Sequence, residues 1–217
     1  RSFSFARKPG ADTQLKIEEL NMDVILQSKI LHCGSLSLTD EPARSATYYA
    51  VEEAKKAGAI VSYDPNYRAL LWRSEEDAVK KMRSMIPYAD IMKISDEETT
   101  LLTGNPDPKA AAKILLEQGV DCVVVTLGQD GALLKTKTVE VQVKGKERNV
   151  VDTTGAGDSF WGGFLSRLAL YHVKPEEITE SQALDYLNFA NTVAGLCVEK
   201  RGAIPAMPTL EQVMNEL

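Results

Sequence analysis

Histidine, cysteine, positive charge and long apolar runs are all scarce in this sequence. The two histidines, His32 and His172, stand alone, and Cys33, Cys122 and Cys197 are far apart and odd in number. Such a set offers no zinc-ligand spacing, and it fits buried thiols of a reducing compartment better than a disulfide framework. The 25 lysines and arginines against 31 aspartates and glutamates leave a net charge of −6. That balance argues against a general binder of nucleic acid or of anionic membrane surfaces. No apolar run approaches the ~20 residues of a membrane helix, and the first residues lack the apolar core of a signal peptide. What is present is an ordinary globular composition, 44% hydrophobic and 26% charged over 217 residues. That length suits one large domain or two small ones. A cytoplasmic protein is expected.

The hydrophobic pattern alternates between strand and helix periods. Phe3 and Phe5, set against Ser2, Ser4 and Ala6, read as a short strand with one apolar face. The sequence opens inside that strand with no leader, so a truncated start is expected. Ile30 to Gly34 predicts a buried strand, and residues 42–57 a helix with Pro42 in its first turn and Gly58 as its stop. Ala59 to Tyr63 and Asp90 to Ile94 are further strands, separated by a helix over 74–86 that Ser74 caps. Residues 96–103 predict a helix ended by Gly104, residues 108–118 another, and Cys122 to Leu127 a β-branched strand. Strands apolar on both faces, alternating with helices, predict an α/β fold with a doubly wound, mostly parallel sheet flanked by helices. From Gly131 the pattern changes. Ala132 to Lys135 and Val139 to Val143 read as an antiparallel pair, followed by long helices over 156–170 and 180–199. A last helix starts at Thr209, with Gln212 completing a capping box. No repeat, low-complexity tract or interdomain linker interrupts the chain.

The most informative stretch is Asp152-Thr153-Thr154-Gly155-Ala156-Gly157-Asp158. Small residues at a predicted helix start leave backbone N–H groups uncovered along the positive end of the helix dipole, a site for an anion such as phosphate. An aspartate beside such a site repels phosphate, but it suits a base that takes the proton of an attacking hydroxyl. Asp158 is therefore a candidate catalytic base, with Gly155, Ala156 and Gly157 as anion-stabilising donors. A plain glycine turn with an acidic first helical turn is the competing reading. Gly162 and Gly163 weaken a helix interior by ~1 kcal/mol each, which predicts close packing against a neighbour.

Other polar clusters fall at predicted strand ends, where open α/β sheets bind ligands. Asp64-Pro65-Asn66-Tyr67-Arg68 is either an Asx-Pro turn or a place where Asn66 and Arg68 meet substrate or phosphate. Ser95 and Glu98 have capping-box spacing, and Lys93 just before them is a candidate phosphate contact. Thr126-Leu127-Gly128-Gln129-Asp130-Gly131 reads locally as a hairpin turn.

Taken together, and in this order, these segments resemble the ribokinase-like (PfkB) carbohydrate kinases. The Asp152–Asp158 string with its small-residue helix is similar to their C-terminal signature, and Lys93-Ile94-Ser95-Asp96-Glu97-Glu98 to the fructokinase branch. The resemblance implies transfer of the γ-phosphoryl of ATP to the 6-hydroxyl of D-fructose, with magnesium organised through water by Glu98. Ser95 stands where the family has asparagine. It also implies Thr126, Gly128 and Gly131 over the nucleotide, Asn191 beside the adenine, and a potassium site framed by Asp152 and Thr154. For Thr192 and Val193 core packing is the better expectation. Residues 1–12, with Arg7 as a substrate contact, resemble the end of the family's β lid, and 13–217 an N-terminally incomplete catalytic domain. Family members carry further strand–helix units upstream, with most of the sugar-reading residues, and pair as homodimers through the lid. The other readings are a kinase for ribose, 2-keto-3-deoxygluconate or a nucleoside, and a non-catalytic binding protein or inactive fragment of the same fold.

Overall fold

The computed structural model describes residues 7 and 9–217. The strand expected around Phe3 and Phe5 lies outside the described residues. The chain divides into two compact units, Arg1–Asp121 and Cys122–Leu217.

The first unit runs α1 (Met22–Gln27), β1 (Ile30–Gly34), α2 (Ala43–Lys56), β2 (Ile60–Asp64), α3 (Glu75–Met85), β3 (Ile91–Ser95), α4 (Asp96–Thr103) and α5 (Pro108–Glu117). All three strands are parallel, β1 pairing β2 from Ile30↔Ile60 to Gly34↔Asp64, and β2 pairing β3 at Ser62↔Ile91 and Tyr63↔Met92. Five-residue strands linked by helical crossovers are what a parallel arrangement requires. On α2, Ala43, Ala46, Ala50, Val51 and Ala54 are buried, a stripe at helical spacing that lies against β1 and β2. The expected stops and caps are present. Ser74 Oγ accepts from Asp77 N at 3.1 Å, and Gly104 ends α4 in the left-handed region at φ 79°. Helix α1 was not legible from hydrophobic spacing: it has six residues, and its signal is the Asn21 cap, whose Oδ1 accepts from Val24 N.

β1 departs from expectation. None of its residues is fully buried and His32 is exposed, whereas Val61, Ser62, Tyr63 and Asp64 of β2 are buried. The reason is position: β1 is the outermost strand of the parallel set, flanked by β2 alone among the described residues. His32 Nδ1 lies 3.0 Å from Ser62 Oγ, its register partner on β2.

The second unit contains β4 (Cys122–Thr126), β5 (Ala132–Thr136), β6 (Glu140–Val143), α6 (Ala156–Tyr171), α7 (Glu180–Cys197) and α8 (Leu210–Met214). Its strands are antiparallel, with β5 between β4 and β6. The change of pairing expected after Gly131 is thus observed, and the α/β class with it. Helices α6 and α7 pack closely, and α7 also lies against β5 and β6. Trp161 stacks on Phe164 at 5.1 Å, and Phe164 meets Tyr186 edge-on at 5.7 Å. Burying each such ring contributes roughly 1.5–3 kcal/mol. The two glycines of α6 differ. A Cβ on Gly163 would come within 3.1 Å of Val193 Cγ2 and 3.3 Å of Ala190 Cα, so this glycine permits the close approach of α7. Gly162 is exposed with nothing within 4 Å, which corrects the expectation that both pack against a neighbour. Thr179 with Gln182, and Thr209 with Gln212, form the capping boxes of α7 and α8. No helix among the described residues is long and apolar enough to cross a membrane.

Candidate active site

In the second unit, the loop 152–155 is folded by one carboxylate. Asp152 Oδ1 accepts from Thr154 N at 2.9 Å and from Thr154 Oγ1 at 2.7 Å, while Oδ2 accepts from Gly202 N at 2.9 Å. Val151 N and Asp152 N both donate to Val198 O, at 2.8 and 3.1 Å, which docks the loop on the end of α7. Gly155 then turns the chain into α6 at φ 78°. Glycine is required twice there, because the left-handed region disfavours side chains and a Cβ would stand 2.8 Å from Ala203 Cβ. The α6 ladder starts with Ser159 N donating to Gly155 O at 2.8 Å, so the amides ahead of it lack intrahelical acceptors. One of them is engaged: Ala156 N donates to Thr153 O at 3.3 Å. The Gly157 amide and the dipole of a sixteen-residue helix remain to attract an anion. Asp158 stands in the first turn, exposed, with no ion pair among the described residues. A carboxylate beside an anion-attracting helix end, held by none of the described residues, can accept a proton.

The nucleotide candidates surround a second close approach in the same unit. Gly131 has φ 93°, and a Cβ on it would overlap Val143 O at 1.9 Å and Gly145 N at 2.6 Å. A Cβ on Gly145 would reach Gln129 O at 2.5 Å. The turn 128–131 and the exit of β6 therefore touch through bare backbone. Gly145 was missed from the sequence, since a lone glycine in a basic loop carries no signal of what crosses it. Thr126 ends β4, and Gly128 opens the turn at φ 57°. Asn191, on α7, donates its Nδ2 to Lys144 O at 3.5 Å. Thr192 is wholly buried and bonded to Asn188 O, and Val193 packs on Gly163, as core residues do.

In the first unit, the candidates lie at the carboxyl ends of the parallel strands. Asn66 adopts φ 49° just after β2, and the next amide, Tyr67 N, donates to Glu98 Oε1 at 2.7 Å. The other oxygen of Glu98 accepts from Ser95 N and Ser95 Oγ at 2.8 and 3.0 Å. The Ser95–Glu98 capping box read from spacing is therefore real, and the same buried glutamate also fastens the loop after β2. Lys93, only 5% exposed, places its Nζ 2.8 Å from Asp64 Oδ2, so its ammonium is held by a neighbouring strand end. Arg68 is exposed and donates to Tyr67 O. Arg7 donates to Leu36 O at 3.1 Å and pairs with Asp12 at 2.6 Å, and it lines a cavity of about 440 Å³ with Thr13, Gln14, Asp40 and Leu70. Burial pushes the Tyr63 phenol well above its usual range, with Cys33 and Glu98 adding to the rise. Partial burial, then the Glu75 charge, also raises Tyr67. Both phenols therefore stay neutral at neutral pH.

The structure thus gathers Asp152, Thr154, Gly155, Ala156, Gly157 and Asp158 in one loop of the second unit, and Asn66 and Glu98 around one hydrogen-bonded turn of the first. Arg7 lines a cavity to which Glu98 does not contribute. Residues 1–210 match the sequence profile described as pfkB family carbohydrate kinase. A protein named probable fructokinase-4, from Arabidopsis thaliana, is 42% identical over 219 residues, covering 100% of this chain and 66% of the relative. The fructokinase with bound ATP from Xylella fastidiosa superposes with a TM-score of 0.91 at 31% identity, covering 99% of this chain and 69% of that one. The fructokinase from Vibrio cholerae O395, in its fructose-, ADP- and calcium-bound form, gives a TM-score of 0.85 at 32% identity over 99% of this chain and 68% of that one. The chain spans about two thirds of the length of the curated relatives it matches.

Proposed function

The chain belongs to the pfkB family of carbohydrate kinases, and on that premise we propose that the protein is an ATP-dependent fructokinase, transferring the γ-phosphoryl of ATP to the 6-hydroxyl of D-fructose. The observation that carries this reading is the segment from Asp152 to Asp158: a left-handed glycine, a helix end whose Gly157 amide is unclaimed among the described residues, and an exposed carboxylate that none of those residues holds. Asp158 takes the hydroxyl proton as attack on phosphorus develops. The Gly155 and Gly157 amides, with the α6 dipole, stabilise charge on the transferring group, joined by Ala156 once its amide leaves Thr153. Thr126, Gly128, Gly131 and Asn191 are assigned to the nucleotide. Asn66, Arg68 and Arg7 are assigned to the sugar and its developing phosphate ester. Lys93 acts through Asp64, keeping the end of β2 in place.

The residues fit magnesium in one way only. No cluster of three or more acidic, histidine or cysteine ligands exists among the described residues, and both Glu98 oxygens already accept protein N–H or O–H groups. A metal would therefore take most ligands from phosphate and water, with Glu98 touching it through water. When bound, it supplies neutralisation of phosphate charge. For potassium, Asp152 and Thr154 form a frame, since both Asp152 oxygens are engaged in shaping the loop. A homodimer in the cytoplasm completes the proposal.

Fructose is favoured over ribose, 2-keto-3-deoxygluconate and nucleosides by the likeness to fructokinases of Arabidopsis thaliana and Vibrio cholerae. The test is ADP release from ATP and magnesium with each acceptor in turn. Release that depends on fructose and is at least tenfold weaker with the others is expected. Equal release with another acceptor overturns the substrate, and ATP binding without any acceptor-dependent release overturns the kinase in favour of a binding protein.

A further inference from the structure

The loop between β6 and α6 carries no strand or helix over 144–155, yet it must deliver the anion site in a fixed place. It is fastened to one stripe of α7. Lys144 O receives Asn191 Nδ2, and Val198 O receives Val151 N and Asp152 N. Between these points lies Arg148, whose side chain is 11% exposed. It crosses α7 at Gly195: a Cβ there would stand 2.8 Å from Arg148 Nε and 3.3 Å from its Cγ. Its Nη1 reaches Glu216 at 3.1 Å and Glu199 at 3.8 Å, while Nε and Nη2 are buried with no hydrogen-bond partner among the described residues. Lys146 Nζ adds a bond to Glu216 O. Residues 191, 195, 198 and 199 follow helical spacing, so the three fastenings line up along one face.

A buried arginine with two unpaired nitrogens is a poor way to stabilise a fold, because each unpaired donor has lost its water. Its cost is understandable where the guanidinium plane serves as a spacer that holds a loop at a set height above a helix. We propose that Arg148 is a positioning residue for nucleotide binding, laid over Gly195 and anchored by Glu216 and Glu199 so that the anion loop and Lys144 keep their register on α7. The inference rests on the kinase reading above. The loop that Arg148 holds serves both ATP binding and the transferring phosphoryl, so its effect falls on KM for ATP and on kcat rather than on KM for fructose.

The test pairs two substitutions. Arg148→Ala is expected to raise KM for ATP by roughly 3- to 30-fold, the range of coupling through a packed network, with kcat falling alongside it and KM for fructose little changed. Gly195→Ala should do the same by pushing the arginine aside. The double variant should be no worse than either single one, since the new methyl fills the space the arginine leaves. Arg148→Lys should restore part of the ATP affinity through Glu216. ATP binding measured directly by calorimetry runs beside the kinetics. Additive effects, or a fall in kcat at unchanged KM for ATP, would mean that Arg148 only holds the fold and would overturn the proposal. If Arg148→Ala does not fold, Gly195→Ala and Arg148→Lys still decide the matter by the same readouts. Absence of ATP binding by the unsubstituted protein would overturn the kinase reading instead.

Discussion

Two carboxylates, Glu98 in the first unit and Asp158 in the second, both sit in the first turn of a helix that follows a strand or loop of the candidate site. Glu98 is 7% exposed and accepts three hydrogen bonds, from Tyr67 N, Ser95 N and Ser95 Oγ. Asp158 is exposed and accepts none among the described residues. The contrast separates two uses of one functional group. A carboxylate whose lone pairs are committed to backbone donors sets geometry, and one left free in the same structural context is available for proton transfer.

The largest expected effect breaks the second half of that comparison. Asp158→Asn should lower turnover by roughly 10²–10⁴-fold while the thermal midpoint changes little, because the exposed side chain bonds none of the described residues. Retained turnover in a steady-state assay removes Asp158 from its role. Next, Glu98→Ala should destabilise the protein by about 3 kcal/mol, read as a lower urea midpoint, because two part-buried amides and the Ser95 hydroxyl lose their acceptor. A variant as stable as the parent would show that the loop after β2 does not depend on this glutamate. Gly155→Ala should cost about 1–3 kcal/mol and most ATP affinity, through the left-handed backbone and the contact with Ala203. The smallest effect sharpens the packing side. Gly162→Ala should stabilise by up to about 1 kcal/mol, while Gly163→Ala destabilises by a similar amount. Equal shifts of melting temperature in the two variants would contradict the assigned faces of α6.

Features with local causes were legible in the sequence. The Gly104 stop, the Ser74 cap, the capping box at Thr209 and the Ser95–Glu98 box each depend on residues within a turn or so of one another. The candidate loop at 152–158 stands out in the sequence because its glycines and its aspartate are contiguous. What escaped was set by partners far along the chain. Asp152 shapes its loop through Gly202, fifty residues away. Gly131 is dictated by Val143 and Gly145, and Arg148 by Gly195 and Glu216. The exposure of β1 escaped for a related reason: an apolar pentapeptide reads the same at a sheet edge as at its centre.

The open surface at Gly162 makes it an observation post. It follows Asp158 by one helical turn on the same face, with nothing within 4 Å of where a side chain would start. Cys122 and Cys197 are wholly buried, and burial pushes the Cys33 thiol up to about 12. A cysteine introduced at 162 is therefore the thiol that a maleimide dye finds first. A fluorophore there looks out over the carboxylate's surroundings without leaning on the fold, and its brightness in stopped flow would time the arrival and departure of ligands at the end of α6.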